Sequence, residues 1–205
     1  MNYIKIFFSI IILSFLFIKD IKCQELTNQE EIENIFELEL EKWKLELFLN
    51  GEVGPPCEKD YNKWAKKYPQ YYWGLQPINS KYYDANNDGV EDVLFYFPAV
   101  NCVGGNSTAS DFSLVVYSHN GGFLTNKNIK SIVDSRIREE FYRKSISTEF
   151  ERIDETIFRI TDFKEDIKGN YSIWVNGDAH CCPKYKGTFS YNPFTFKVKI
   201  SLKKK

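Results

Sequence analysis

Asp84, Asn86, Asp88 and Asp92 occupy places 1, 3, 5 and 9 of the stretch DANNDGVED, with Gly89 at place 6 and the Val90 carbonyl at place 7. Oxygen donors at alternate positions around a glycine bend suit calcium, which takes about six to eight hard oxygen ligands. An EF-hand would carry a bidentate glutamate at place 12, where this chain has Phe95. That departure excludes a helix-loop-helix site. The competing reading is a plain hairpin turn, because Asp, Asn and Gly cap their own backbone and tolerate positive φ. Asp92 and the unbroken alternation exceed what a turn requires, and they favour an ion held for structure rather than for catalysis.

The stretch continues into the hydrophobic run VLFYF, and later VVYSHNGGF supplies a second strand with an Asn-Gly turn. In this it resembles the strand-flanked calcium loops of integrin-type FG-GAP and VCBS repeats, over about forty residues. The resemblance implies Ca²⁺ as cofactor, with Asp84, Asn86, Asp88 and Asp92 as side-chain ligands and Val90 as a backbone ligand. It does not extend to a propeller, which needs several copies where this chain has one.

The other reactive residues are cysteines. Beyond Cys23, the chain holds Cys57, Cys102, Cys181 and Cys182, an even count that reads as a disulfide framework in an exported protein. A bond between the adjacent Cys181 and Cys182 would be strained, so each of these two is expected to reach back to Cys57 or Cys102. A zinc site built from Asp178, His180 and the two thiolates is the rival, but no two cysteines have the two to four intervening residues usual for zinc, and no CxxC occurs.

Catalysis has little to stand on. The histidines are His119 and His180, and no GxSxG, HExxH, Walker or GxGxxG pattern places a nucleophile, a metal or a phosphate. His180 beside two cysteines invites a Cys-His arrangement, which disulfide formation would consume. Aromatic residues make up 17% of the chain, and YPQYYWG gathers Tyr68, Tyr71, Tyr72 and Trp73. Exposed, that cluster is a stacking platform for sugars or an anchor for a protein partner; buried, it is core. Asn106 and Asn170 lie in glycosylation sequons.

These groups must be positioned by the following elements. LTNQEEIENIFELELEKWKLELFLNGE opens with a capping box, Thr27 and Glu30, and places Ile32, Ile35, Phe36, Leu40, Trp43 and Leu47 on one helical stripe. CEKDYNKWAKKYPQYYW predicts a shorter helix ending before Pro69. DVLFYF is apolar on both faces, as a central strand would be, and FSLVVYS runs into the hairpin signal Asn120-Gly121. SIVDSRIREEFYRK predicts a helix over 131–144. TIFRIT, YSIWV, GTFSY and FTFKVKISL predict four strands, the last with Phe194, Phe196, Val198, Ile200 and Leu202 on one face. Helices early and strands late, without a βαβ rhythm, predict an α+β fold with N-terminal helices packed on a mainly antiparallel sheet.

At the N-terminus, Lys5 precedes the apolar run FFSIIILSFLFI (7–18), which is followed by KDIKCQE. This pattern predicts a signal peptide over 1–23; it is short for a membrane span. Lipidation at Cys23 is disfavoured by Lys22 before it. The remaining 24–205 predict a single domain large enough for its own core. Net charge is −1, and loss of Lys5, Lys19, Lys22 and Asp20 takes it to −3. A mildly acidic, mixed surface disfavours nucleic acid as a partner. The expectation is a secreted or periplasmic, disulfide-stabilised binding or interaction module with one calcium loop, its partner a protein or glycan ligand. The alternatives are a periplasmic inhibitor or immunity-type protein and, third, a small secreted hydrolase.

Overall fold

The computed structural model describes residues 29–103, 108–145, 152–179 and 182–204. The predicted signal peptide, Thr27 of the capping box, Asn106, His180 and Cys181 lie outside them. The fold is mixed α+β, with mainly antiparallel strands divided between two sheets.

Helix α1 (Gln29–Leu49) buries Ile32, Phe36, Trp43 and Leu47, four of the six residues of the predicted stripe. Asn50-Gly51 ends it, with Gly51 at φ +72°, a conformation glycine takes without steric cost. Helix α2 (Tyr61–Lys67) is capped by Asp60, whose carboxylate accepts the Lys63 N–H at 3.1 Å.

The first sheet holds β1 (Trp73–Gly74), β2 (Asn79–Tyr83), β3 (Asp92–Asn101), β4 (Thr108–His119) and β5 (Gly122–Asn126). Strand β3 is central: β1 and β2 pair with it on one side and β4 on the other, with Val93 opposite Val116 and Phe97 opposite Phe112. Its apolar character on both faces has a direct cause. Val93, Phe95, Phe97 and Ala99 join one core cluster with Phe36, Trp43 and Leu47, while Leu94 points into the other cluster, so both sides of the pleat are covered. Asn120 and Gly121, at φ +51° and +78°, close the β4–β5 hairpin.

Helix α3 (Ile129–Ser145) carries the chain to the second sheet, a meander of β6 (Ile153–Phe163), β7 (Ile167–Val175), β8 (Tyr185–Tyr191) and β9 (Val198–Lys204). Ile129, Val133, Ile137 and Phe141 share a core cluster with Phe158, Ile173, Phe189 and Tyr191 of this sheet.

Two expectations are corrected. The strands do not form one sheet: β4 and β6 meet through side chains instead of a ladder. The Ser110 hydroxyl accepts the Phe158 N–H and donates to the Thr156 carbonyl, both at 3.2 Å, and Asp111 accepts the Ile160 N–H at 2.7 Å. The final strand begins at Val198, not at Phe194. The Asn192 side chain accepts N–H groups from Phe194 (3.2 Å) and Thr195 (2.9 Å), which holds 192–197 as a turn. Phe196 is therefore 55% exposed at φ +57° instead of joining Val198, Ile200 and Leu202.

Candidate functional site

The DANNDGVED stretch is the loop of the β2–β3 hairpin, with Tyr83 opposite Asp92 at its base. Asn87 at φ +60° and Gly89 at φ +90° turn the chain back on itself. That winding aims backbone N–H groups inward. Asp84 accepts from the N–H of Asp88 (3.0 Å) and of Gly89 (2.9 Å), Asn86 accepts from Asp88 (3.0 Å), and Asp88 accepts from Val90 (3.0 Å). The predicted donors thus belong to one small loop, and the alternation seen in the sequence is the alternation of side chains returning to the loop's own backbone.

Asp92 anchors the base. Fully buried, it accepts the N–H groups of Ala85 and Ser118, each at 2.9 Å. Ser118 of β4 is the contributor that the sequence did not announce. Its hydroxyl donates to Asp88 at 2.5 Å and lies 3.4 Å from Asp92, and its carbonyl accepts the Asn86 amide at 2.8 Å. Only the β3–β4 pairing brings it there, so no local signal could have revealed it.

The charges of this loop act on one another. Burial pushes the Asp92 carboxyl above its ordinary value, the two N–H bonds pull it down, and the charges of Asp88 and Asp84 raise it again. For Asp88 burial also pushes upward, but hydrogen bonds from Ser118, Val90 and Asn86 outweigh it and hold the carboxyl below its ordinary value. Among the described residues, no Lys or Arg forms an ion pair with Asp84, Asp88 or Asp92.

For a cation, the donor chemistry fits in kind, since every side chain offers oxygen, while Asp88 Oδ2 already accepts both the Ser118 hydroxyl and the Asn86 amide. The arrangement is that of a loop closed on itself. Among the described residues no three His, Cys, Asp or Glu side chains form a group set to hold a metal ion. Val90 contributes its N–H to Asp88.

The cysteines are paired otherwise than expected. Cys57 bonds to Cys102, with Cα atoms 5.3 Å apart, well within disulfide reach. Tyr72 O accepts the Cys102 N–H (3.1 Å), and Gly54 and Trp73 are joined by a backbone bond of 2.8 Å, so both cysteines flank the same short strand β1. The crossing pattern toward Cys181 and Cys182 is thereby excluded for Cys57 and Cys102. Cys182 is exposed.

His119 is exposed at the end of β4, its ring 3.0 Å from the Asn120 amide. The aromatic cluster splits. Tyr71 is buried, its hydroxyl donating to the Phe48 carbonyl at 2.9 Å, whereas Tyr72 is half exposed and stands edge-on to Trp73 with ring centres 5.0 Å apart. No helix among the described residues is long and apolar enough to cross a membrane. No protein-family model, no curated protein and no solved structure matches this chain.

Proposed function

We propose that the protein is an exported, disulfide-stabilised binding or interaction module whose β2–β3 loop takes one structural calcium ion through Asp84, Asn86, Asp88, the Val90 carbonyl and Asp92. The carrying observation is that Asp84, Asp88 and Asp92 belong to one loop, where the charges of the first two add to the burial that raises Asp92, and among the described residues no Lys or Arg forms an ion pair with them. A divalent ion would relieve that repulsion, and its site would be of the hard-oxygen type. The ion's work is structural: it would lock the hairpin against β4 through Ser118.

Export is supported by the apolar run at 7–18 and by the Cys57–Cys102 disulfide, a bond that persists in oxidising compartments. Helix α1, whose Trp43 stands 5.6 Å between ring centres from Phe97, would form the rigid back of the module. An inhibitor or immunity-type role is the second reading, favoured by the exposed Leu38, Leu45 and Leu49 along α1.

Calorimetric titration of residues 24–205 with calcium, up to about 10 mM to reach the weak range of extracellular modules, tests the loop. Heat that Asp88→Ala abolishes supports the ion. No heat from the unsubstituted protein rejects it and leaves the loop as a self-capped hairpin.

A further inference from the structure

A groove whose lining includes none of residues 84–92 is built from both sheets. Its inner part is a cleft of about 720 Å³ between α1, α3 and the β4–β6 junction; its outer part is a hollow of about 540 Å³. Trp73, Asp154 and Glu155 line both, so the two are one continuous feature. Tyr72 and Trp174 wall the outer part and Trp43 lies in the inner part.

Two local irregularities create it. A regular strand sends consecutive side chains to opposite faces, but the β6–β7 register shifts between Ile153 and Glu155, so Asp154 is an extra residue. The bulge lets two consecutive carboxylates line the same groove. Glu155 stands opposite Trp174 across the strands, which puts an acid and an indole side by side on one face. Asp154 is fixed by the Gly177 N–H at 2.6 Å and by Arg152 at 3.4 Å. On the facing wall, the disulfide packs against Gly74, the residue after Trp73. A Cβ on Gly74 would meet the Cys57 sulfur at 2.8 Å, so this glycine lets the bridge close against β1.

The inner end is polar in a particular way. Lys130 lies over the Phe112 ring, 3.8 Å from its centre. Burial lowers its pKa, while Glu52 and Asp134 act on it from beyond ion-pair distance. A hydroxyl, which both donates and accepts, bridges such separated charges where a second ion would leave one of them unpaired.

We infer that this groove is a glycan-binding site for a neutral oligosaccharide, one ring stacking on Trp174 or Trp73 and its hydroxyls bonded to Glu155 and Asp154. The C–H face of a sugar ring carries partial positive charge and meets the negative face of an indole, while a carboxylate accepts two vicinal hydroxyls at once. The size suits a short oligomer better than a single ring, since small-molecule pockets run from about 300 to 1,000 Å³. The site does not depend on the calcium loop.

The test is titration of the disulfide-intact protein, in EDTA so that the calcium reading plays no part, with tetrasaccharides of N-acetylglucosamine, of β-linked glucose and of α-linked glucose, and with tetragalacturonate as the acidic arm. Tryptophan fluorescence and calorimetry report binding. At least one neutral tetrasaccharide is expected to bind. Trp174→Ala and the isosteric Glu155→Gln should each weaken it by about tenfold or more, as loss of an aromatic or charged anchor does, with near-ultraviolet dichroism unchanged. Absence of binding by all three neutral sugars at about 10 mM, a weak-affinity ceiling, overturns the inference. So does equal binding by both variants, binding of tetragalacturonate alone, or selection of displayed peptides that need Trp174 while every sugar fails.

Discussion

The hydroxyl of Ser110 in β4 accepts the Phe158 N–H of β6 and returns a hydrogen bond to the Thr156 carbonyl, each at 3.2 Å. One side chain thus supplies a donor and an acceptor to the edge of the second sheet, where a ladder partner would otherwise stand. The neighbouring Asp111 repeats the device on Ile160 and faces Arg159 at 3.4 Å. All of these groups are buried or half-buried, so the junction has no access to replacement bonds from bulk water.

Replacing Ser110 by Ala should therefore destabilise the protein by about 1–3 kcal/mol, the penalty for leaving a buried backbone N–H unpaired. Urea denaturation gives the total. Amide exchange gives the location: protection at Phe158 should fall more than at Phe189, which stands inside the second sheet.

Reduction of Cys57–Cys102, or replacement of both residues by serine, should cost about 4 kcal/mol on the chain-entropy model for a loop of 45 residues. Denaturation with and without reductant reads the difference. An unchanged midpoint would mean that β1 is held by its backbone bonds alone.

Gly74→Ala brings a methyl group against the Cys57 and Cys102 sulfurs and the Cys57 backbone. Overpacking of this kind costs about 1–3 kcal/mol. Because the sulfurs are tethered to each other, they cannot yield as a flexible side chain would. A melting temperature lowered in the oxidised protein, with a smaller drop in the reduced one, is the expected pattern.

The pH dependence follows from carboxyls shifted in opposite directions. Asp92 and the buried Asp111 are held above their ordinary value, chiefly by burial. The folded chain therefore keeps protons there that the unfolded chain has released. That contribution is complete below the ordinary carboxylate range and is lost as pH rises through the raised values. Asp88 is held below its ordinary value, so its contribution is present above the ordinary range and lost as pH falls through the lowered one. Urea midpoints measured from about pH 3 to about pH 7, across the carboxylate range, should show a decline above the ordinary range that Asp92→Asn flattens in part, Asp111 supplying the rest.

Calcium would reverse the sign at Asp92, because an ion favours the ionised form. Calcium heat should therefore weaken as the pH is lowered toward the carboxylate range. Heat that is equal at both ends would place the ion elsewhere than at Asp92.

Local chemistry written in the sequence was enough for the end of α1 at Asn50-Gly51, the Asn120-Gly121 hairpin turn, the apolar centre of β3 and the crowding of oxygens in residues 84–92. Each depends on propensity, period or turn preference within a few neighbouring residues. The same locality explains the misplaced start of β9: Phe194 and Phe196 continue a period-2 pattern, but the Asn192 side chain captures the backbone first. The cysteine pairing, the division into two sheets, the arrival of Ser118 over the loop and the meeting of Trp73 with Trp174 across one groove came only with tertiary structure. These join residues far apart in the chain. Which distant groups meet is decided by how whole faces are buried, and that is a property of the packed molecule that no short stretch encodes.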